Sequence, residues 1–319
     1  MRLTLLLLPG LLACGASSPA PIAPSPVAST AAEPAAEALP DAWPIVLHRR
    51  DHVGERYRMT RVATEHRRSV LRVGGHIARE DELRRQVRLE GEVRVVAVNG
   101  AGKPTAREIT IGEAVLSEGG RTRELLPQGA TLRASAGPRG ESGPIEWVGG
   151  QLSEDDVEAL RLVINTAARP VTDDDVFGTD QPQPIGASWP IDAAVAARDL
   201  SKIRALTVGP DGVSGSVSLL GVAEERGQRC LEISAELRAD GFSLGDLPEG
   251  SQIERSSVVA TLRGLLPTDP AVRRLRGQQT MRMELVLRMN MDGQEGVMET
   301  TNARASESIY YPITAGQSL

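Results

Sequence analysis

The sequence predicts a mainly β protein: antiparallel sheet, curved or half-open, with two or three helices and two related halves. Three features carry this expectation. Long stretches alternate apolar and charged residues with a period of two, as strands with one buried and one wet face do. Dipeptides that favour tight hairpins separate neighbouring stretches. Segments with helical spacing are few and short.

Arg56 to Val62 and Ser69 to Val73 are the first strand candidates. In Val87 to Val95, the apolar Val87, Leu89, Val93 and Val95 alternate with Arg88, Glu90, Glu92 and Arg94, so the charges share one face. Asn99-Gly100 marks a hairpin turn before the strand expected over Arg107 to Leu116. Ser153 is a natural helix cap, and Glu154, Asp155 and Asp156 suit the positive end of a helix dipole. Val157, Leu160, Val163 and Ile164 follow at helical spacing, which predicts a helix over 153–168.

Arg169 to Trp189 is rich in Pro and Asp and reads as the connector between halves. Further helices are expected over Asp192 to Lys202 and Asp269 to Arg276. Strands resume at Val213 to Val222, Cys230 to Leu237, Ile253 to Leu262, Met281 to Met291 and Val297 to Tyr310, with Asp292-Gly293 as the last hairpin turn.

The halves share a pattern. Gly91 to Val98 parallels Gly215 to Val222 at an offset of 124 residues, and Glu108-Ile109-Thr110 matches Glu232-Ile233-Ser234 at the same offset. Leu126-Pro127-Gln128-Gly129 then matches Leu247-Pro248-Glu249-Gly250 at an offset of 121. Three matches in one order suggest a duplicated unit, with a first β-rich half over 41–170, ending in a helix, and a second over 171–319.

The formal charge is −6, with no long basic block, which argues against a nucleic-acid partner. Cys14 and Cys230 are the two cysteines, so a disulfide within the folded part is not expected. Aromatic residues make up 3% of the chain, so any large pocket must be lined mainly by aliphatic side chains and Met.

The first 14 residues carry an address. One basic residue, Arg2, precedes an apolar run broken only by Pro9-Gly10. A helix crossing a bilayer needs about 20 apolar residues, so this run reads as a signal segment. Leu11-Leu12-Ala13-Cys14, directly after it, resembles the lipobox of bacterial lipoproteins. The resemblance implies cleavage after Ala13, lipid attachment at Cys14 and a place in the cell envelope; Gly15, where Asp would retain the protein, leans towards the outer membrane. An ordinary secretory signal beside an incidental cysteine is the plainer alternative. Gly15 to Pro40 holds six Pro and nine Ala among its 26 residues, which predicts a disordered tether reaching about 3.1 Å per residue when extended.

Common chemistries are hard to place. His48, His52, His66 and His76 cluster early, but Arg49, Arg50, Arg67, Arg68 and Arg72 among them would repel a metal ion. Asp173 to Asp180 lacks the oxygen ligand and glutamate of a calcium loop, and reads as an acidic linker. Gly100 to Thr105 lacks the first glycine and the hydroxyl residue of a phosphate loop, and reads as a turn. Cys230 lies among Glu232 and Ser234 on its strand face, a setting for a structural thiol. No nucleophile elbow or dinucleotide fingerprint occurs, so no catalytic residues, metal or cofactor are assigned and the chain is not expected to be an enzyme.

One strand face is unusual. Met281, Met283, Leu285, Leu287, Met289 and Met291 fall on the same side. Met adapts to varied apolar partners, so this face is the candidate binding surface for a lipid or other apolar ligand; a strand of a filled core has the same pattern. In outline the chain is similar to half-barrel envelope lipoproteins, whose curved sheet wraps an apolar cavity, though without a shared motif. The resulting expectation is a non-catalytic, membrane-anchored envelope lipoprotein that binds an apolar ligand. The alternative is an envelope scaffold with a filled core that binds an unknown envelope protein.

Overall fold

The computed structural model describes residues 40–313 apart from residues 139, 202–205, 246, 248–249 and 292. Cys14, the signal segment and the tether up to residue 39 lie outside the described residues. The strands of the first half are β1 (Arg56–Val73), β2 (His76–Val98), β3 (Pro104–Glu118), β4 (Arg121–Glu124), β5 (Thr131–Ala136) and β6 (Ser142–Val148), followed by helix α1 (Glu154–Leu160). The chain continues through α2 (Asp173–Phe177), β7 (Ser188–Pro190), α3 (Ala193–Leu200) and β8 (Leu206–Thr207) to a short 3-10 turn at Pro210–Gly212. Strands β9 (Val213–Glu225), β10 (Gln228–Asp240), β11 (Ser243–Leu244), β12 (Gln252–Pro267), β13 (Arg276–Met291) and β14 (Gln294–Pro312) complete it.

Twelve of these strands form one antiparallel sheet in the order β6-β5-β3-β2-β1-β14-β13-β12-β10-β9-β7, with β4 paired to β3 at its side. Strands β6 and β7 end the order without pairing to each other, so the sheet is open. Each half is a meander, because consecutive strands joined by short turns pair most readily with each other. The two meanders fuse along β1 and β14, which stay in register from Tyr57↔Pro312 to Val73↔Gly296. The strands described within 41–170 and 171–319 are therefore two wings of a continuous sheet.

Each wing has its own apolar core on the inner face. In the first, Val87, Leu89, Val93 and Val95 of β2 pack with Ile109 and Ile111 of β3 under Ala159 and Leu160 of α1. In the second, Val217, Leu219 and Ile233 pack with Met283, Leu285 and Leu287 under α2, α3 and an N-terminal strap. That strap, with Trp43, Ile45 and Leu47 buried, precedes β1 in the chain yet fills the core of the second wing. The outer face is wet. Arg68–Glu80 at 2.7 Å, Arg263–Glu232 at 2.5 Å and Arg282–Glu284 at 2.7 Å are exposed cross-strand and same-strand pairs of this side.

Helices depart from expectation at three places. Helix α1 covers Glu154–Leu160 only, capped by the Ser153 hydroxyl, while the Ser153 N–H donates back to the Asp156 carboxylate. The tract Asp173–Phe177 is a helix instead of a solvated linker, because Thr172 caps it and Asp174 accepts from the backbone of Leu47 at 2.6 Å and His48 at 3.1 Å. The segment 269–275 is a non-helical connection, and Arg276 already belongs to β13. Its length only bridges β12 to β13, and its arginines are drawn out to Asp51 and Glu55 ahead of β1 and to Asp173 of α2.

The repeated units keep strand order but not register. Val93 pairs with Ile109, whereas Val217 pairs with Ala235, two residues beyond the matched Ile233. Ile109 pairs with Leu132, whereas Ile233 pairs with Gly264. Local geometry is nonetheless shared at the matched glycines. A Cβ on Gly91 would lie 2.5 Å from the carbonyl oxygen of Thr110, and one on Gly215 would lie 2.1 Å from that of Glu236.

Candidate functional site

Between the wing cores, the inner face of β1 and β14 changes from apolar to polar. Alternation puts Tyr57, Met59 and Ala63 inward, and the same parity then presents Arg61 and Glu65. Across from them β14 presents Ser308, Ser306, Arg304 and Asn302, all buried. A charge at a core position needs a partner, since an isolated one is costly to desolvate.

Glu65 finds two. One carboxylate oxygen accepts from Arg304 Nη2 at 2.5 Å and Nε at 2.8 Å, and the other accepts from Arg85 Nη2 at 2.6 Å and Nε at 2.7 Å. Asn302 Nδ2 adds a longer bond of 3.3 Å. The Glu65 side chain is fully buried, and those of Arg85 and Arg304 are only 8% exposed. Burial pushes the Glu65 carboxyl up, but the charges and hydrogen bonds of Arg304 and Arg85 outweigh it and hold the group below the usual carboxylate range. Burial pulls the Arg304 guanidinium below its ordinary value in spite of Glu65.

Arg61, on the same strand, donates to the Val163 carbonyl and to Ser306 Oγ, each at 3.3 Å. Its Nε and the Oδ1 of Asn302 are buried without a hydrogen-bond partner among the described residues. Burial lowers its basicity. Burial raises the neighbouring Tyr310 hydroxyl, yet the charge of Arg61 and a bond from Ser308 bring it below its ordinary value.

A cleft of about 890 Å³ crosses β3, β2, β1, β14 and β13 at this level of the sheet; its lining takes in Glu65, Arg85, Met281 and Arg304 together with residues of the opposite parity, Thr64, His66, Arg282, Ala303 and Ala305 among them. A volume of this size lies within the range of small-molecule sites, about 300–1,000 Å³. Where Tyr57 and Tyr310 end β1 and β14, an ionic knot holds the strap to the sheet. Arg273 pairs with Asp51 and with Glu55 at 3.0 Å, and its guanidinium lies 3.8 Å over the Tyr57 ring. Arg49 reaches Glu55 at 2.8 Å, and the Glu55 carboxyl, which burial alone would raise, stays low beside Arg273 and Arg49.

The six residues of the Met face fall into four environments. Met283, Leu285 and Leu287 are each 1% exposed and fill the second core. Met281 is also buried but borders the cleft. Met289 is half-buried against that core, and Met291 is exposed at the hairpin end. The cleft thus adjoins the Met face without running along it.

The histidines disperse: His48 Nε2 meets the Ala101 carbonyl at 2.9 Å, and His66 Nε2 meets Glu82 at 2.8 Å on a wet surface. No group of three potential metal ligands gathers among the described residues. The tract Gly100 to Thr105 is a turn that runs into β3, which already holds Pro104 and Thr105, with Gly102 in the left-handed region. Cys230 is fully buried, and burial followed by Glu225 pushes its thiol up. Sequence reading passed over Glu65, Arg61 and Arg304. Their signal was present as charges at the apolar parity of an alternating strand.

The geometry defines an open antiparallel sheet with a polar, arginine-bearing cleft at its centre. No family model matches the chain, and neither does any curated protein. Among solved structures, the chain is similar to lipovitellin, from a study of its lipid–protein interactions, at 11% identity and a TM-score of 0.36. That alignment covers 84% of this chain and 26% of lipovitellin, so the chain spans about a quarter of that protein. The outer membrane protein OprG from Pseudomonas aeruginosa aligns at 6% identity and a TM-score of 0.20, covering 82% of this chain and 99% of its own. An outer membrane channel from Pseudomonas putida F1 aligns at 10% identity and a TM-score of 0.17, covering 86% and 100%. None of these likenesses is close enough to transfer a fold or a role.

Proposed function

We propose that this chain is a lipid-anchored lipoprotein of the bacterial envelope, at the outer membrane, that holds an apolar or amphipathic ligand without catalysing a reaction. The observation that carries the binding role is the central cleft of about 890 Å³, bounded by Met281 and by the buried Glu65, Arg85 and Arg304. Anchoring rests on Leu11-Leu12-Ala13-Cys14 after an apolar run and on the Pro/Ala-rich spacer that follows. A diacylated or triacylated cysteine holds a protein to a membrane stably, where one chain would not. The outer face, laced with arginine–glutamate pairs, suits water. Placed against lipid at the bilayer midplane, each such arginine would cost about 2–4 kcal/mol.

The test is native mass spectrometry of the full chain expressed with its leader and extracted from bacterial membranes. The expected spectrum shows the mass of acyl groups on Cys14 and a further small molecule that organic extraction removes. Absence of that molecule in every preparation would sink the binding role. It would favour a second reading, an envelope scaffold for another protein, which the filled core around Met283, Leu285 and Leu287 supports.

A further inference from the structure

Two arginines of the inner face lack an acid. Arg61 has the parity of Tyr57 and Met59 on β1, and Arg107 that of Ile109 and Ile111 on β3, so both point to the core side. Their partners are neutral. Arg61 donates to the Val163 carbonyl and to Ser306 Oγ, each at 3.3 Å, and Arg107 Nη1 donates to the Asn165 carbonyl at 2.7 Å. Strand β2 lies between β1 and β3, yet Val163 and Asn165 are two residues apart in the segment after α1. One short stretch of backbone thus gathers both guanidiniums. The Nε of each is buried without a hydrogen-bond partner among the described residues. A buried donor without an acceptor is costly, and native structures leave few of them.

The surroundings do not supply the missing acid. Beside the Tyr57 and Tyr310 rings, which meet edge to face at 5.8 Å, Arg49 and Arg273 share Asp51 and Glu55, and Arg274 pairs with Asp173. Those three cations and three acids balance, which leaves Arg61 and Arg107 over. The two also act on each other: burial first, and then the charge of Arg107, lower the basicity of Arg61. The excess is two positive charges at half-buried positions. A phosphate monoester carries about −1.5 to −2 at neutral pH, and its oxygens suit the planar fork of a guanidinium. A single carboxylate would neutralise only one of the pair.

We propose that Arg61 and Arg107 form a binding site for a phosphate group, which accepts from the Nε of each and bridges the two cations. The site lies on one face of the sheet and apart from the cleft, whose lining includes neither arginine. No bond is made or broken in it. The phosphate of a lipid head and a water-soluble phosphate share this chemistry.

The experiment is calorimetric titration of the full chain with inorganic phosphate and with octyl phosphate at constant ionic strength. Each should saturate one site per chain. Arg107→Gln should weaken both by at least tenfold, and Arg107→Lys, which keeps the charge, should weaken them less. Arg61→Gln should act in the same direction as Arg107→Gln; if it fails to fold, Arg107→Gln, whose bond to Asn165 lies at the surface, decides alone. Arg133→Gln, at an exposed arginine paired with Glu108, should leave both affinities unchanged. Octyl phosphate binding at least tenfold more tightly than inorganic phosphate would identify the ligand as the head of a lipid, and equal affinities would identify a water-soluble phosphate. Failure of both probes to saturate a site would overturn the proposal, as would affinities that Arg107→Gln leaves unchanged.

Discussion

Glu65 sits at the seam between the two cores with an arginine on each carboxylate oxygen. Removing the carboxylate leaves Arg85 and Arg304 buried without their shared acid, and breaking a buried pair from one side costs about 3–5 kcal/mol. Glu65→Gln should therefore lower the stability of the fold by that order in urea denaturation at neutral pH. Its pH dependence has a definite sign. The folded-state value lies below that of the unfolded chain, so the stabilisation is present above the unfolded value and is lost as pH falls through the folded one. The gap between the unaltered protein and Glu65→Gln should narrow as pH is lowered below the usual carboxylate range; a gap that widens with acid would refute this account. Met283 is the contrasting case, an apolar side chain 1% exposed within the second core. Met283→Ala should cost about 2–5 kcal/mol through lost burial and a cavity, whereas the same change at the exposed Met291 should leave the unfolding midpoint nearly unmoved.

At the scale of elements, the close approaches of strands are more demanding than the turns. Gly215 lies in β9 where an added Cβ would meet the Glu236 carbonyl at 2.1 Å, while Gly221 in the same strand has open space around its Cβ position. Gly215→Ala should destabilise by about 1–3 kcal/mol, as overpacking does, and Gly221→Ala should be tolerated; circular dichroism melts of the two variants would show whether this ordering holds. The strands themselves were legible because alternation depends only on which face is buried. Helix α2 was not, because Thr172 and three aspartates look like a solvated linker until the backbone of Leu47 and His48 is seen donating to Asp174. The segment 269–275 failed in the opposite sense. Its local spacing suits a helix, but Arg273 and Arg274 are drawn out to Asp51, Glu55 and Asp173 of distant segments.

Over the whole molecule, the pairing of β1 with β14 joins the two ends of the folded chain across seventeen residue pairs. The strap from Trp43 to Leu47 adds a second tie by entering the core of the opposite wing. A sheet tied in this way should unfold in one transition. Trp147 packs on the first core and Trp189 on the second, so variants retaining either tryptophan alone should report the same urea midpoint. Two separated midpoints would mean that the wings are independent units after all.

By itself the sequence determined the antiparallel strands, their buried faces and their hairpin turns. These properties are set by neighbours along the chain, where parity, turn geometry and hydrophobicity act over a few residues. Only the tertiary structure decided that the two halves share one open sheet, that the Met face is mostly filled core, and that Glu65 meets Arg85 and Arg304. Those outcomes depend on register between strands far apart in the chain, as in the bond from Arg304 to Glu65 across 239 residues. Every strand in such a sheet offers the same backbone donors and acceptors, so its own pattern does not choose the partner. The choice falls to the buried charges and the two cores, which can be satisfied together in one arrangement of the wings.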